Sequence, residues 1–118
     1  MDIENIRKIC LSKRGAAESF PFDETTLVFK VMNKMFCLLN LEYPQSVNLK
    51  CDPERAVTLR EEYEDIIPGW HMNKKHWNTL QLIGTLKNSM IEELIDHSYN
   101  LVVKSLKKKD RENLEKSG

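Results

Sequence analysis

The sequence predicts an α+β two-layer sandwich, an antiparallel sheet with its helices packed on one face. Alternation of strand type falls in short stretches at Thr26–Val31, Ser46–Cys51 and 77–83, cleanest in Ser46–Cys51. Helical spacing of apolar residues frames these stretches near the start of the chain, after Asp52-Pro53 and after Ser89. The links between the first strands are short, which suits hairpins and excludes the long crossovers that parallel strands need.

Asp2 is placed to cap a first helix, on which Ile3, Ile6, Cys10 and Leu11 form an apolar stripe. Lys13-Arg14 and then Gly15 are expected to end it. Phe20-Pro21-Phe22 reads as a rigid connection that plugs the core edge. In Thr26–Val31 the apolar face is Leu27, Phe29 and Val31, and Met32-Asn33-Lys34 forms a tight turn. Met35–Leu41 is almost wholly apolar, as a central strand is. Tyr43-Pro44-Gln45 breaks it before Ser46–Cys51, and an antiparallel meander of three strands follows.

Asp52-Pro53 pairs a capping side chain with proline at the first helical position. Ala56, Leu59, Tyr63 and Ile66 or Ile67 supply the buried face of that helix, and Pro68-Gly69 stops it. Residues 77–83 form another strand, ended by Gly84. Ser89-Met90-Ile91-Glu92 has the form of a capping box, followed by a long helix whose stripe runs from Ile91 to Leu106. Residues 1–106 are therefore expected to make one domain. Residues 107–118, charged and without apolar periodicity, are expected to be a frayed or solvated extension.

Composition narrows the function classes. The 118 residues suit a single compact domain. Lysine plus arginine and aspartate plus glutamate both number 18, so the basic excess of a non-specific DNA binder is missing, although a local basic face is still compatible. The three cysteines, Cys10, Cys37 and Cys51, form no C-x-x-C pair and read as reduced, partly buried thiols. No apolar run reaches the length of a membrane span, and Met1-Asp2-Ile3-Glu4 does not open like a secretory signal. A cytoplasmic protein with no membrane association is expected.

The densest chemistry lies in P-G-W-H-M-N-K-K-H-W-N-T, residues 68–79. Metal binding is disfavoured, because Lys74 and Lys75 separate His71 from His76 and no cysteine or carboxylate completes a ligand set. Ser98 and His97 are helical neighbours about 100° apart, which rules out a direct nucleophile–base pair. Glycine-rich phosphate loops are absent from the sequence. No enzyme, cofactor or metal is expected. Alternation also defines an outward sheet face of Thr26, Val28, Lys30, Ser46, Asn48, Lys50, Trp77, Thr79 and Gln81. It is polar, with two lysines and a tryptophan, so it suits either plain solvation or docking.

Five segments carry a resemblance. They are Glu18-Ser19-Phe20-Pro21-Phe22, Val28-Phe29-Lys30-Val31 with Lys34-Met35-Phe36, Val47 through Pro53, Pro68 through Asn78, and Asp96-His97-Ser98-Tyr99-Asn100-Leu101-Val102. In order and spacing they resemble the MmcQ/YjbR family of small bacterial proteins. The resemblance implies a CyaY-like (frataxin-like) α+β fold and the family's usual description as a DNA-binding protein with double wings. Frataxins also handle iron through a strongly acidic first helix. Here that helix has Asp2 and Glu4 among Arg7 and Lys8, with Lys13 and Arg14 following, which departs from that pattern.

The expected function is a small binding module, for DNA, contacting through Lys30, Lys34, Lys50, Trp70, Lys74, Lys75 and Trp77. Two alternatives stay open. One is a protein partner on the open sheet face. The other is a small ligand near His71, Asn73, His76, Asn78 and His97, residues that otherwise pin a loop.

Overall fold

The computed structural model describes residues 1–116. The elements are α1 (Ile3–Leu11), β1 (Ala16–Ser19), β2 (Thr26–Val31), β3 (Lys34–Asn40), β4 (Ser46–Lys50), α2 (Pro53–Glu62), β5 (Ile66–Pro68), β6 (Trp77–Gln81), α3 (Asn88–Ser105) and α4 (Lys108–Lys116). Six strands form one sheet in the order β1-β2-β3-β4-β6-β5, with every neighbouring pair antiparallel. The helices contribute to one core on one face, so the structure has the predicted α+β two-layer form.

Alternation explains that core. Leu27, Phe29, Val31, Leu39, Val47, Leu49 and Leu80 all turn to the helices and are buried. A bulge lies where Phe29 pairs with Cys37 but Lys30 pairs with Met35. The extra residue is Phe36, so Phe36 and Cys37 both enter the core in sequence. Phe36 meets the Tyr99 ring edge-on at 5.3 Å between centroids. All three thiols are free and buried. Burial and the neighbouring Cys10 push the Cys37 thiol up, and burial pushes the Cys51 thiol up to about 11, so neither favours a thiolate.

Two helix starts follow the sequence. Asp2 accepts the Asn5 N–H at 2.8 Å, and Asp52 accepts the Arg55 N–H at 3.2 Å ahead of Pro53. The Met32-Asn33 turn joins β2 to β3 with φ of 48° and 68°, a primed hairpin turn.

Elsewhere the structure corrects the expectation. Gly15 does not cap α1, which ends at Leu11. With φ +71° it turns the chain into β1, an Ala-rich edge strand with no β-forming residues to announce it. Phe20 and Phe22 are exposed and plug nothing. Tyr63 is extended and ends α2, so Ile66 and Ile67 belong to β5, paired to β6, and not to a helix. The strand at 77–83 stops at Gln81. The capping box does not form. Asn88 already begins α3, so Ser89 lies inside the helix, and Lys87 stands at the cap with no side-chain bond.

The C-terminal extension also differs. Residues 108–116 are helical, and Leu114 is buried in the core. A methyl group at Gly15 would come within 2.5 Å of Leu114 Cδ1, so the bare glycine backbone lets α4 dock. A single apolar residue in nine gives no periodicity to read. The last two positions of the expected extension, 117 and 118, lie outside the described residues.

Candidate functional site

The face opposite the helices is built in three rows across the strands. Thr26, Asn40, Ser46 and Gln81 align in the first row. Val28, Leu38, Asn48, Thr79 and Ile67 form the second. The third has Lys30 against Met35 and Lys50 against Trp77. This face is not plainly polar. Val28, Leu38 and Trp77 are buried together as a second apolar cluster, with Met35 and Met72 packed against it. Met72 comes from the loop between β5 and β6, which folds back over the sheet.

That loop is tied down at several points. The Gly69 N–H donates to the Trp77 carbonyl at 2.8 Å, and a side chain at Gly69 would strike Trp77. Lys74 Nζ donates back to the Gly69 carbonyl at 3.1 Å. Asn73 Oδ1 accepts the Lys75 N–H at 2.9 Å, while its carbonyl accepts the N–H groups of His76 and Trp77. The Trp70 N–H donates to Thr79 Oγ1 at 3.0 Å, and Thr79 in turn donates to Asn48 on the sheet floor. His71 follows with φ of 57°, a left-handed backbone that only local constraint sustains in a non-glycine residue.

Between this loop and the opposite end of the strands lies a cleft of about 920 Å³. Its floor is drawn chiefly from the first two rows, Asn40, Ser46, Asn48 and Thr79 around Leu38, with Met35 from the third. Trp70, His71 and Met72 line it on the loop side. Phe22 and Asp23 line it from before β2, and Glu42, Tyr43 and Pro44 from between β3 and β4. Phe22, Tyr43 and Trp70 are 64%, 81% and 64% exposed, so three aromatic rings stand largely in solvent around one concavity. Asp23 accepts the N–H groups of Thr25 and Thr26 at 2.9 and 2.7 Å, and both hydroxyls as well. Those bonds hold its carboxyl below the usual range and keep it ionised.

The residues singled out in the sequence divide between this cleft and other places. Trp70 and His71 line it. Trp77 does not: it is only 9% exposed, beneath the loop, and cannot act as an exposed stacking platform. Lys30 and Lys50 are half-buried in the third row, while Lys34, Lys74 and Lys75 are exposed on a hairpin turn and on the loop. No lysine or arginine is among the described residues that line the cleft. Asn78 faces the helices, where Nδ2 donates to the Ala56 carbonyl at 3.3 Å, so it pins α2 and not the loop. Among the described residues no group of three histidine, cysteine or acidic side chains is placed to hold a metal ion.

The segment around His97 is a fastener. His97 Nε2 accepts the Asp52 N–H at 3.2 Å and secures the start of α2. Ser98 Oγ donates to the Phe36 carbonyl at 2.5 Å and accepts the Lys50 N–H at 2.9 Å, joining α3 to the bulged β3 and to β4. Tyr99 Oη donates to the Arg14 carbonyl at 2.6 Å and holds the turn after α1. Lys13 pairs with Asp96, and Arg7 grips Glu18 through two bonds of 2.6 and 2.7 Å. The charges of Arg7 and Lys13 are paired with internal carboxylates, which reduces what they add to a basic surface. Sequence reasoning missed Phe22, Asp23, Glu42 and Tyr43. The available signal was aromatic residues beside carboxylates in both segments that flank β2 and β3.

No helix among the described residues is long and apolar enough to cross a membrane. Comparison with known proteins supplies the lineage. The chain is 36% identical to the uncharacterized protein YjbR of Escherichia coli strain K12, covering 97% of this chain and 98% of that one. It is 44% identical to the uncharacterized protein YyaQ of Bacillus subtilis strain 168, covering 83% and 95%. The crystal structure of Deinococcus radiodurans protein DR2400, a DUF419 domain, superposes with a TM-score of 0.89 at 40% identity, over 96% of this chain and 87% of that one. A Pseudomonas syringae protein superposes with a TM-score of 0.75 at 27% identity, over 86% and 98%. The sequence model of the YjbR family matches residues 11–101, and the chain belongs to that family.

Proposed function

We propose that this protein is a binding module whose working site is the cleft on the open face of the sheet, and that its ligand is a small organic molecule. The observation that carries the reading is the cleft itself. A volume of about 920 Å³ is within the range that accommodates a drug-sized ligand. Its floor offers neutral hydrogen-bonding groups around an apolar centre, and its aromatic rim is exposed well beyond what packing requires. The Asp23 carboxylate, engaged by four donors, is a fixed charge in this cleft, which suits reception of a ligand.

The DNA reading draws instead on Lys34, Lys74 and Lys75, exposed side chains outside the cleft. One experiment separates the two. Amide and indole resonances are followed by NMR while a fragment library, and separately a duplex DNA at low salt, are titrated in. Fragment-induced shifts gathered on Leu38, Asn48, Thr79 and the Trp70 indole are expected. A duplex that moves Lys34, Lys74 and Lys75 with steep salt dependence, beside fragments that never touch the cleft, would overturn the proposal in favour of nucleic acid.

A further inference from the structure

We infer that the ligand of this cleft is a flat organic cation, an inference that rests on the cleft being the binding site. Three features of the cleft agree on the sign of the charge. The first is the lining: it includes the carboxylates of Asp23 and Glu42 and, among the described residues, no lysine or arginine. An anionic ligand would meet two like charges there with no counter-ion. The second is the rim. Aromatic rings present a negative π-face, and rings grouped around a concavity attract cations and stack on flat bodies. Phe22, Tyr43 and Trp70 do this from more than one side of the cleft and are largely bare. The third is the register of the sheet. Lys30 and Lys50 share the sheet face with the cleft but fall in the third row, from which Met35 reaches the lining while Lys30, Lys50 and Trp77 do not. The cations of this face are thus set apart from the concavity.

The two carboxylates also give the site a direction. Asp23 precedes β2 and Glu42 follows β3, so both lie at the strand ends that form the Thr26–Asn40 row. Asp23 is fixed there by the N–H groups and hydroxyls of Thr25 and Thr26. The positive group of the ligand belongs at this end, beside Tyr43. Its flat body extends over Leu38 towards Trp70, whose place is set by the bond from its N–H to Thr79. Neutral Asn40, Ser46 and Gln81 in the first row offer both donors and acceptors without opposing charge.

The test uses three ring systems of similar outline and different charge: proflavine as cation, acridone as neutral molecule and anthracene-9-carboxylate as anion. Affinities are measured by fluorescence titration at low salt, and NMR shifts report whether each probe sits on Leu38, Asn48 and Thr79. Proflavine is expected to bind at least roughly tenfold more tightly than acridone, with the anion weakest. Glu42→Gln combined with Asp23→Asn, which keeps an acceptor oxygen for the Thr25 and Thr26 amides, should weaken proflavine by about five- to tenfold and leave acridone unchanged. Trp70→Ala should weaken both. Equal affinity of all three probes in the cleft would overturn the charge inference and leave the cleft reading standing. Preference for the anion would do the same. Failure of all three to shift any cleft residue would overturn the inference, and the fragment titration then decides separately whether the cleft reading falls with it.

Discussion

The two faces of the sheet are made from the same strands by the same alternation, yet they are finished differently. The helix-covered face is closed by α1, α2, α3 and α4 around Phe29, Phe36, Leu39 and Ile95, and among the described residues Asn78 and Ser98 are its buried polar side chains. Among the described residues the open face buries Val28, Leu38, Trp77 and Thr79, and it leaves the half-buried polar side chains of Thr26, Asn40, Ser46, Gln81 and Asn48 as a concave floor. One face holds the fold together and the other has surface left over. A site can be built on the second because stability does not depend on filling it.

The largest expected difference comes from emptying each side in turn. Phe36 is fully buried at the bulge, so Phe36→Ala should cost about 3–5 kcal/mol and lower the whole unfolding transition. Trp77→Ala removes the centre of the smaller cluster. Among the described residues that cluster is flanked by Met35 and Met72, so it can collapse, and a cost at the low end of the same range, about 3 kcal/mol, is expected. Urea titration gives both numbers, and hydrogen exchange shows where they act. Trp77→Ala should deprotect the loop from Gly69 to His76 first and leave α3 protected. Equal costs with uniform deprotection would mean that the open face is as integral to the core as the covered one.

Much of this contrast was legible in the sequence, in proportion to how local its cause is. Alternation in Thr26–Val31 and Ser46–Lys50 assigns each residue to its face, and Asp52-Pro53 marks the start of α2, because those signals act over a few residues. The outward turn of Trp77 was readable in the same way. Its burial was not, because the cover is Met72, brought back by a loop whose path depends on Gly69 lying against β6. The cleft was still less legible. Phe22, Tyr43 and Trp70 come from three separate connections, and only the assembled sheet makes them neighbours of one concavity. β1 and α4 were missed for a related reason. Four residues of A-A-E-S and one buried leucine in nine carry almost no periodicity; β1 is held by its pairing to β2, and α4 by the approach of Leu114 to Gly15, far away in sequence.

The smallest expected effect is on the covered side, where α3 meets the start of α2. His97 is half-buried and accepts the Asp52 N–H through Nε2, which requires the neutral ring. Burial, and then the charge of Arg55, hold its pKa below the ordinary 6.5. A base whose folded pKa is depressed takes up its proton more readily in the unfolded chain. Its contribution is therefore complete above the unfolded pKa and is lost as pH falls through the folded one. Unfolding free energies from urea titration should accordingly decline as pH is lowered from 7.5 to 5. The His97 share has a slope of at most about 1.4 kcal/mol per pH unit, and less in practice because the ring is partly solvated. His97→Gln keeps a polar group at the position without a proton to gain, so its curve should be flatter over that window and should meet the wild-type slope above it. Parallel curves for the two proteins would assign the acid sensitivity to the carboxylates and leave His97 as a simple hydrogen-bond acceptor. A flatter variant curve would show that the joint between α3 and α2 loosens with acid while the Trp77 cluster, which contains no titratable group, does not.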